Sequence, residues 1–258
     1  MPTQNITPVQ TINPTKLDDY QLCPQKYKFK HIDGQKEPMS HPLAFGTAAH
    51  RVLQILHEAP DCRRVDIGET LRKALTSALF THEEIDSYVM RGSAALQHYR
   101  TEHLQNSSDK TIGAEMSLNF LFIHEGVRVR LNCRVDRIFV NGDGVLHAVD
   151  FKFSFAGRIP TPESLHTSLR AFLCHVLVRK RFPQYERIKV GFLNVPTNTS
   201  SWIEFPPEER NLNRAELWRE VQRIFAKDFS PKISENCNWC AFRDFCPAVN
   251  QLISFDDI

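Results

Sequence analysis

The spacing of apolar residues changes character twice along the chain. Leu17, Tyr20, Tyr27 and Phe29 fall at helical intervals behind the start signal Asn13-Pro14-Thr15, which predicts a helix over Thr15 to about Ile32. Pro24 inside it interrupts that helix or starts a second one. Residues 1–14 have no such period and read as a flexible leader, and Gly34 to Pro42 reads as a loop. Leu43 to Ala59, Asp66 to Phe80 and Glu83 to Leu104 then predict three amphipathic helices, an all-helical part over 43–105. From Thr111 the period drops to two. Thr111 to His124, Val127 to Val140 and the stretch after Asn141-Gly142-Asp143-Gly144 predict a three-stranded antiparallel meander. Helical spacing returns over Pro162 to Phe182, with Leu165, Leu169, Phe172, Leu173, Val176 and Leu177 in one wide stripe. A buried strand over Ile188 to Val195, an edge strand near Trp202 to Phe205 and a helix over Glu208 to Phe225 complete the pattern. Strands and helices mixed in this order predict an α/β fold with its sheet core over 111–205.

Composition narrows the class without naming a function. With 41% hydrophobic and 24% charged residues among 258, the chain can bury a full core as one large domain. A net charge of +2 neither demands nor excludes a polyanionic partner. No run approaches the length of a membrane-spanning helix, and Met1 to Lys16 is polar and proline-containing, unlike a signal peptide. A cytoplasmic protein with no membrane partner is expected. The seven cysteines are an odd number, which with a reducing compartment argues against a disulfide framework. Cys62, Cys133 and Cys174 stand alone and read as packing residues.

The candidate chemistry sits on the predicted hairpin C-R-V-D-R-I-F-V-N-G-D-G-V-L-H-A-V-D-F-K, Cys133 to Lys152. Its turn brings Asp136 near Asp150, and Lys152 lies two residues on, on the face of Asp150. Two carboxylates and an ammonium suit a divalent cation and the water it activates. They also suit an ordinary charged surface hairpin, and the spacing D-x-K alone does not decide between the two.

Four stretches taken together resemble the PD-(D/E)XK nucleases, specifically their RecB-like branch, in the CRISPR-adaptation or phage-exonuclease style. They are L-D-D-Y-Q-L-C-P-Q-K-Y-K-F at Leu17 to Phe29, G-T-A-A-H at Gly46 to His50, R-V-D-R-I with V-D-F-K, and C-N-W-C-A-F-R-D-F-C-P at Cys237 to Pro247. The resemblance implies a restriction-endonuclease-like core, a central mixed sheet flanked by helices, with the helical part as an insert and an iron–sulfur clasp. It implies one nuclease domain over 15–258. His50, Asp136 and Asp150 would be metal ligands for Mg²⁺ or Mn²⁺, with the Phe151 backbone carbonyl as a fourth. Asp136, Asp150 and Lys152 would be the catalytic group, and Glu115 an outer or secondary acid. His57 lacks supporting neighbours and reads as a structural histidine.

The tail has the spacing C-x₂-C-x₅-C-P, and Cys23 is the natural fourth partner for Cys237, Cys240 and Cys246. Four thiolates suit either zinc or a [4Fe–4S] cluster. One lone cysteine plus three, rather than two paired knuckles, favours the cluster, which relatives with this spacing hold. The segment 236–247 would then pair with Cys23, and Trp239, Phe242 and Phe245 would form an apolar shell around the centre.

The chain departs from the family pattern at two places. Cys133 stands where relatives often have glycine. The stretch Ser168 to Phe172 lacks the usual Gln-x-x-x-Tyr, leaving His166 or Arg170 as substitute phosphate contacts. The function implied is a metal-dependent DNA exonuclease preferring single-stranded ends. The absence of a G-x-x-x-x-G-K-S/T loop means that any motor is a partner. Partners implied are DNA and a helicase, recombination or CRISPR-adaptation protein. The competing readings are a catalytically silent nuclease-fold binding or scaffold subunit, and an RNA-directed or endonucleolytic relative.

Overall fold

The structure is a computed structural model that describes residues 9–75 and 79–249. Its first element corrects the leader expectation. Gln10–Ile12 forms strand β1, with Ile12 fully buried, by pairing in parallel with Val129–Leu131. The remaining leader, residues 1–8, lies outside the described residues.

Asn13 caps helix α1 (Pro14–Leu22) by accepting a hydrogen bond from the Lys16 backbone. Pro24 ends that helix and opens the short α2 (Pro24–Tyr27), which runs on as a π turn over Lys28–Ile32. The helical part consists of α3 (His41–Glu58), α4 (Ile67–Ala74) and α5 (His82–Arg100). Thr81 and Glu84 form a capping box that sets the start of α5. Part of the helix expected to reach Phe80, residues 76–78, lies outside the described residues.

The meander is present as expected, with β2 (Lys110–His124), β3 (Val127–Val140) and β4 (Leu146–Lys152) paired antiparallel in sequence. The expected single helix over Pro162 to Phe182 is instead two, α6 (Pro162–Leu165) and α7 (Leu169–Arg181). Ser168 breaks it, since its hydroxyl accepts from the Ala171 backbone and caps a new start. Helix α7 carries the chain back to β5 (Ile188–Asn194), which runs parallel to β4. The edge strand β6 (Thr199–Ile203) precedes the expected Trp202 start by three residues, and α8 (Pro207–Phe225) closes the sheet core.

β3 explains the shape of the sheet. β2 covers one edge of β3 over its whole length. The other edge is shared: β1 pairs in parallel with Val129–Leu131, and β4 pairs with Arg137–Val140. β3 and β4 therefore part company at Asp136, leaving a fork between the two pairings.

Side chains alternate across this sheet into two cores. Ile138, Ala148 and Val190 pack with Leu17, Phe172 and Val221 of α1, α7 and α8. Phe139, Val149 and Phe151 pack with Val52, Leu71 and Tyr99 of α3, α4 and α5. The result is three layers, with the helical part on one face and α1, α7 and α8 on the other.

Candidate active site

The fork is where both helix layers reach the sheet. His50, on α3, points its Nδ1 at Asp136 Oδ1 (3.5 Å) and at Glu115 Oε1 (3.8 Å). Glu115 stands opposite Asp136 because Ala114 pairs with Arg137 and Met116 with Val135. Its backbone adopts the left-handed region (φ +50°), just beyond a register shift between Thr111 and Gly113. Such a conformation is strained for a residue with a side chain, and bulges of this kind re-aim a side chain. Here the strain brings a second carboxylate to the imidazole. Arg134, two residues before Asp136, holds the other oxygen of Glu115 at 2.5 Å.

Asp136 is fixed from behind, since its Oδ2 accepts the Phe151 backbone N–H at 2.6 Å. Asp150 has different neighbours. Lys152 Nζ lies 2.8 Å from its Oδ1, and Arg170 of α7 donates Nη2 (2.6 Å) and Nε (3.1 Å) to its Oδ2. Both carboxylates are partly buried, and their environments push them apart. Burial pushes the Asp136 carboxyl up even against His50. Burial also opposes ionisation of Asp150, but Lys152 and Arg170 outweigh it and hold that carboxyl below its ordinary value. For His50, burial alone would lower the pKa. Hydrogen bonding to Asp136 and Glu115 overrides it, and the pKa is pushed up to about 10. An open cleft of about 620 Å³ lies over this group, bordered by His50, Glu115, Arg134, Asp136 and Lys152.

The structure thus brings together five residues singled out in the sequence: His50, Glu115, Asp136, Asp150 and Lys152. The placement of two of them differs from expectation. Glu115, expected in an outer role, joins His50 and Asp136 in a set whose donor atoms all lie within 4.8 Å of one another. Asp150, expected as a third ligand, is not in that set and has both oxygens in ion pairs. Phe151 borders the cleft, while its ring is buried against His57 and Tyr99. His57 itself donates to or accepts from the Tyr99 hydroxyl (2.8 Å), and burial lowers its pKa to about 3, as befits a structural histidine. His166 faces away from this group and pairs with Glu209 of α8 at 2.7 Å. Arg134 and Asp18 were not singled out. Arg134 was readable as the same-face neighbour of Asp136 at i−2.

Residues 11–247 match the family model described as the PD-(D/E)XK nuclease superfamily. The chain belongs to that superfamily. Among solved structures it is similar to a protein from Eubacterium rectale named "Putative exonuclease", at 10% identity and a TM-score of 0.55, covering 94% of this chain and 87% of the other. It is also similar to SSO0001, at 14% identity and a TM-score of 0.40 over 87% and 94% of the two chains. A third similarity is to LHK-Exo in complex with dAMP, at 13% identity and a TM-score of 0.31 over 71% and 90%. No curated protein matches the chain. PD-(D/E)XK nucleases use divalent metals, and the donor set fits one. Two carboxylates supply the hard oxygens that Mg²⁺ and Mn²⁺ prefer, and the imidazole adds a nitrogen that suits Mn²⁺ better.

A second constellation lies where the two ends of the PD-(D/E)XK chain meet. Cys23, Cys237, Cys240 and Cys246 all line one cavity of about 160 Å³. The ends are tied by the Tyr20 hydroxyl donating to the Asp228 carbonyl (2.7 Å) and by Phe29 packing against Phe242 and Phe245. The expected aromatic shell is incomplete. Phe242 is 1% exposed, but Phe245 is 49% and Trp239 91% exposed, because the short 3₁₀ turn Glu235–Trp239 carries the indole outward. Of the three lone cysteines, Cys174 has its thiol pushed well up by a hydrogen bond to Cys133 and by burial, which keeps it unreactive. No described helix is long and apolar enough to cross a membrane.

Proposed function

We propose that this chain is a metal-dependent DNA exonuclease that works from single-stranded ends. The observation that carries the reading is the fork itself: His50, Glu115 and Asp136 share an open cleft with Lys152, whose ammonium is anchored on Asp150. His50, Glu115 and Asp136 would hold Mg²⁺ or Mn²⁺. The metal would supply Lewis acidity and a more acidic bound water. Lys152 would place its charge beside the scissile phosphate, where transition-state charge develops. Asp150 keeps that ammonium in the cleft, and Arg134 keeps Glu115 aimed at His50. The name of the Eubacterium rectale protein supports an exonuclease over an endonuclease.

The preference for single strands rests on energetics. Each base-pair step costs about 1–2 kcal/mol to unstack, and the chain has no motor loop to meet that cost. A helicase or recombination partner would supply longer single strands. The test is cleavage of end-labelled linear and circular single strands, blunt duplex and RNA at equal nucleotide concentration, with and without Mn²⁺. Linear single-stranded DNA should disappear fastest, and the rate should fall as salt rises. Equal rates on circles and linear strands would make the protein an endonuclease. Cleavage confined to RNA would change the substrate, and no cleavage of any of them would leave a binding subunit.

The cysteine cavity supports a [4Fe–4S] cluster better than zinc. One lone cysteine joined to a trio, rather than two paired knuckles, favours the cluster. Cys23, Cys237, Cys240 and Cys246 would be the ligands, with Phe242 as the inner wall. Anaerobically prepared protein should be brown and contain iron and sulfide. Stoichiometric zinc without iron would reverse the assignment.

A further inference from the structure

Arg170 is held at all three of its guanidinium nitrogens. Nε and Nη2 donate to Asp150 Oδ2 (3.1 and 2.6 Å), and Nη1 donates to Asp18 Oδ2 (2.7 Å). Asp18 lies on α1 and Arg170 on α7, so one side chain joins the opening helix to β4. Asp150 has no freedom left, since its remaining oxygen faces Lys152 at 2.8 Å.

Two roles are open to a cation beside this cleft. It could meet a phosphate of the substrate, or it could hold another residue in place. The hydrogen bonds and the cleft lining together favour the second. Three of its five N–H groups are held by carboxylates, and Arg170 is absent from the lining of the open cleft, where Lys152 and Arg134 appear. A lysine would not reproduce it, because an ammonium lacks the planar, rigid set of N–H groups that meets Asp150 twice and Asp18 at once. Both side chains of the Asp150 pair are 26% exposed, so losing the arginine would leave a half-buried carboxylate with Lys152 as its remaining partner. Asp18 is 45% exposed, so its half of the bridge is the weaker half.

We propose that Arg170 is a positioning residue that fixes Asp150, and through it the Lys152 ammonium, to helix α1. The seat of α1 thereby governs the alignment of the cleft. Cys23 caps that helix, with its backbone N–H on the Asp19 carbonyl. The bridge therefore runs from the end of the chain that bears the cysteine cavity to the candidate catalytic strand. The kinetic side of this inference rests on the nuclease reading above.

The test uses Arg170→Lys, Asp18→Asn and the double variant of the full-length chain, with three readouts. Arg170→Lys should lower kcat about a hundredfold, since small misplacements of reacting groups cost that much, and Asp18→Asn about tenfold. The double variant should be no slower than Arg170→Lys alone, because both act through one bridge. The Kd for a fluorescent single-stranded oligonucleotide, measured in EDTA, should stay within twofold of wild type throughout. In urea unfolding the double variant should lose less stability than the two single losses added together. A weakened Kd with retained kcat in Arg170→Lys would make Arg170 a phosphate contact. Wild-type turnover in Asp18→Asn, or multiplying losses in the double variant, would remove Asp18 from the bridge. If the wild-type protein cleaves nothing, the nuclease reading falls by itself. The unfolding cycle then still decides the bridge, which additive losses would overturn.

Discussion

The carboxylate fork and the cysteine cavity carry the two candidate centres of one chain, and they are held in opposite ways. At the fork every candidate ligand sits on a long regular element: His50 on α3, Glu115 on β2, Asp136 on β3. Backbone hydrogen bonds and ion pairs fix each of them, from Phe151 N–H on Asp136 to Arg134 on Glu115. Around the cysteines the backbone runs in two brief 3₁₀ turns, Glu235–Trp239 and Arg243–Phe245, and only Phe242 among the interleaved aromatics is fully buried. The sheet builds the first centre whether or not a cation is bound. The second is built on short turns that a bound metal centre would tie together. Loss of the first ligand should cost activity, and loss of the second should cost the fold.

The largest effect expected on either side is catalytic. Asp136→Asn or Lys152→Ala should reduce cleavage at least a thousandfold and leave the melting temperature within a few degrees of wild type, measured by turnover and circular dichroism. Wild-type rates in both variants would move the chemistry away from the fork. The counterpart is Cys23→Ser. It should lose colour and iron, and about 4 kcal/mol of stability with them, because a tie between the chain's ends removes loop-closure entropy from the unfolded state. A shift of about 10 °C in the melting temperature is the matching observable. A coloured and equally stable variant would take Cys23 out of the ligand set and erase the contrast.

A smaller effect separates Glu115 from an outer role. Glu115→Gln removes one of two carboxylates from the set around His50, and should raise the half-saturating Mn²⁺ concentration about tenfold, about 1.4 kcal/mol. An unchanged titration would return Glu115 to the second rank. The smallest effect is the pH dependence of the metal-free fork. His50 has its pKa raised to about 10, above the roughly 6.5 of an unfolded chain. The stability it contributes is therefore complete below about pH 6.5 and fades as pH rises toward 10. His50→Gln should flatten that slope in urea titrations. Because a cation must expel the same proton, the half-saturating Mn²⁺ concentration should fall over the same window. A slope unchanged by the substitution would assign it to other groups.

The parts of the fork that depend on period were legible in the sequence. Asp136, Asp150 and Lys152 follow from a two-residue repeat and a glycine-rich turn, and β2 to β4 from the same repeat. Glu115 was legible as an acid on a strand, but its aim depends on a left-handed residue near a register shift, and no composition signal marks that site. Arg170 was legible only as an odd residue where a glutamine motif was expected. Its partners Asp18 and Asp150 come from elements that only the packing of α1 against α7 brings together. The exposed Trp239 was misread because a 3₁₀ turn, unlike a strand or an α-helix, imposes no period that tells inside from outside. The cap at Ser168 was present in the sequence, and it splits a stripe that otherwise looks continuous.

The shared edge of β3 carries a consequence for how the chain must assemble. Three residues of β1 occupy the hydrogen-bonding edge that β4 leaves behind at the fork. Those residues precede their partners at Val129–Leu131 by more than a hundred positions in the chain. Until the two meet, the first half of β3 presents bare N–H and C=O groups beside Leu131 and Val129, an open template for any passing strand. The meander can close early through local pairing, whereas this last seam waits on a long-range contact. Crowded synthesis therefore favours mispairing at the fork rather than at the sheet's outer rim, and β1 serves as the plug that ends that exposure.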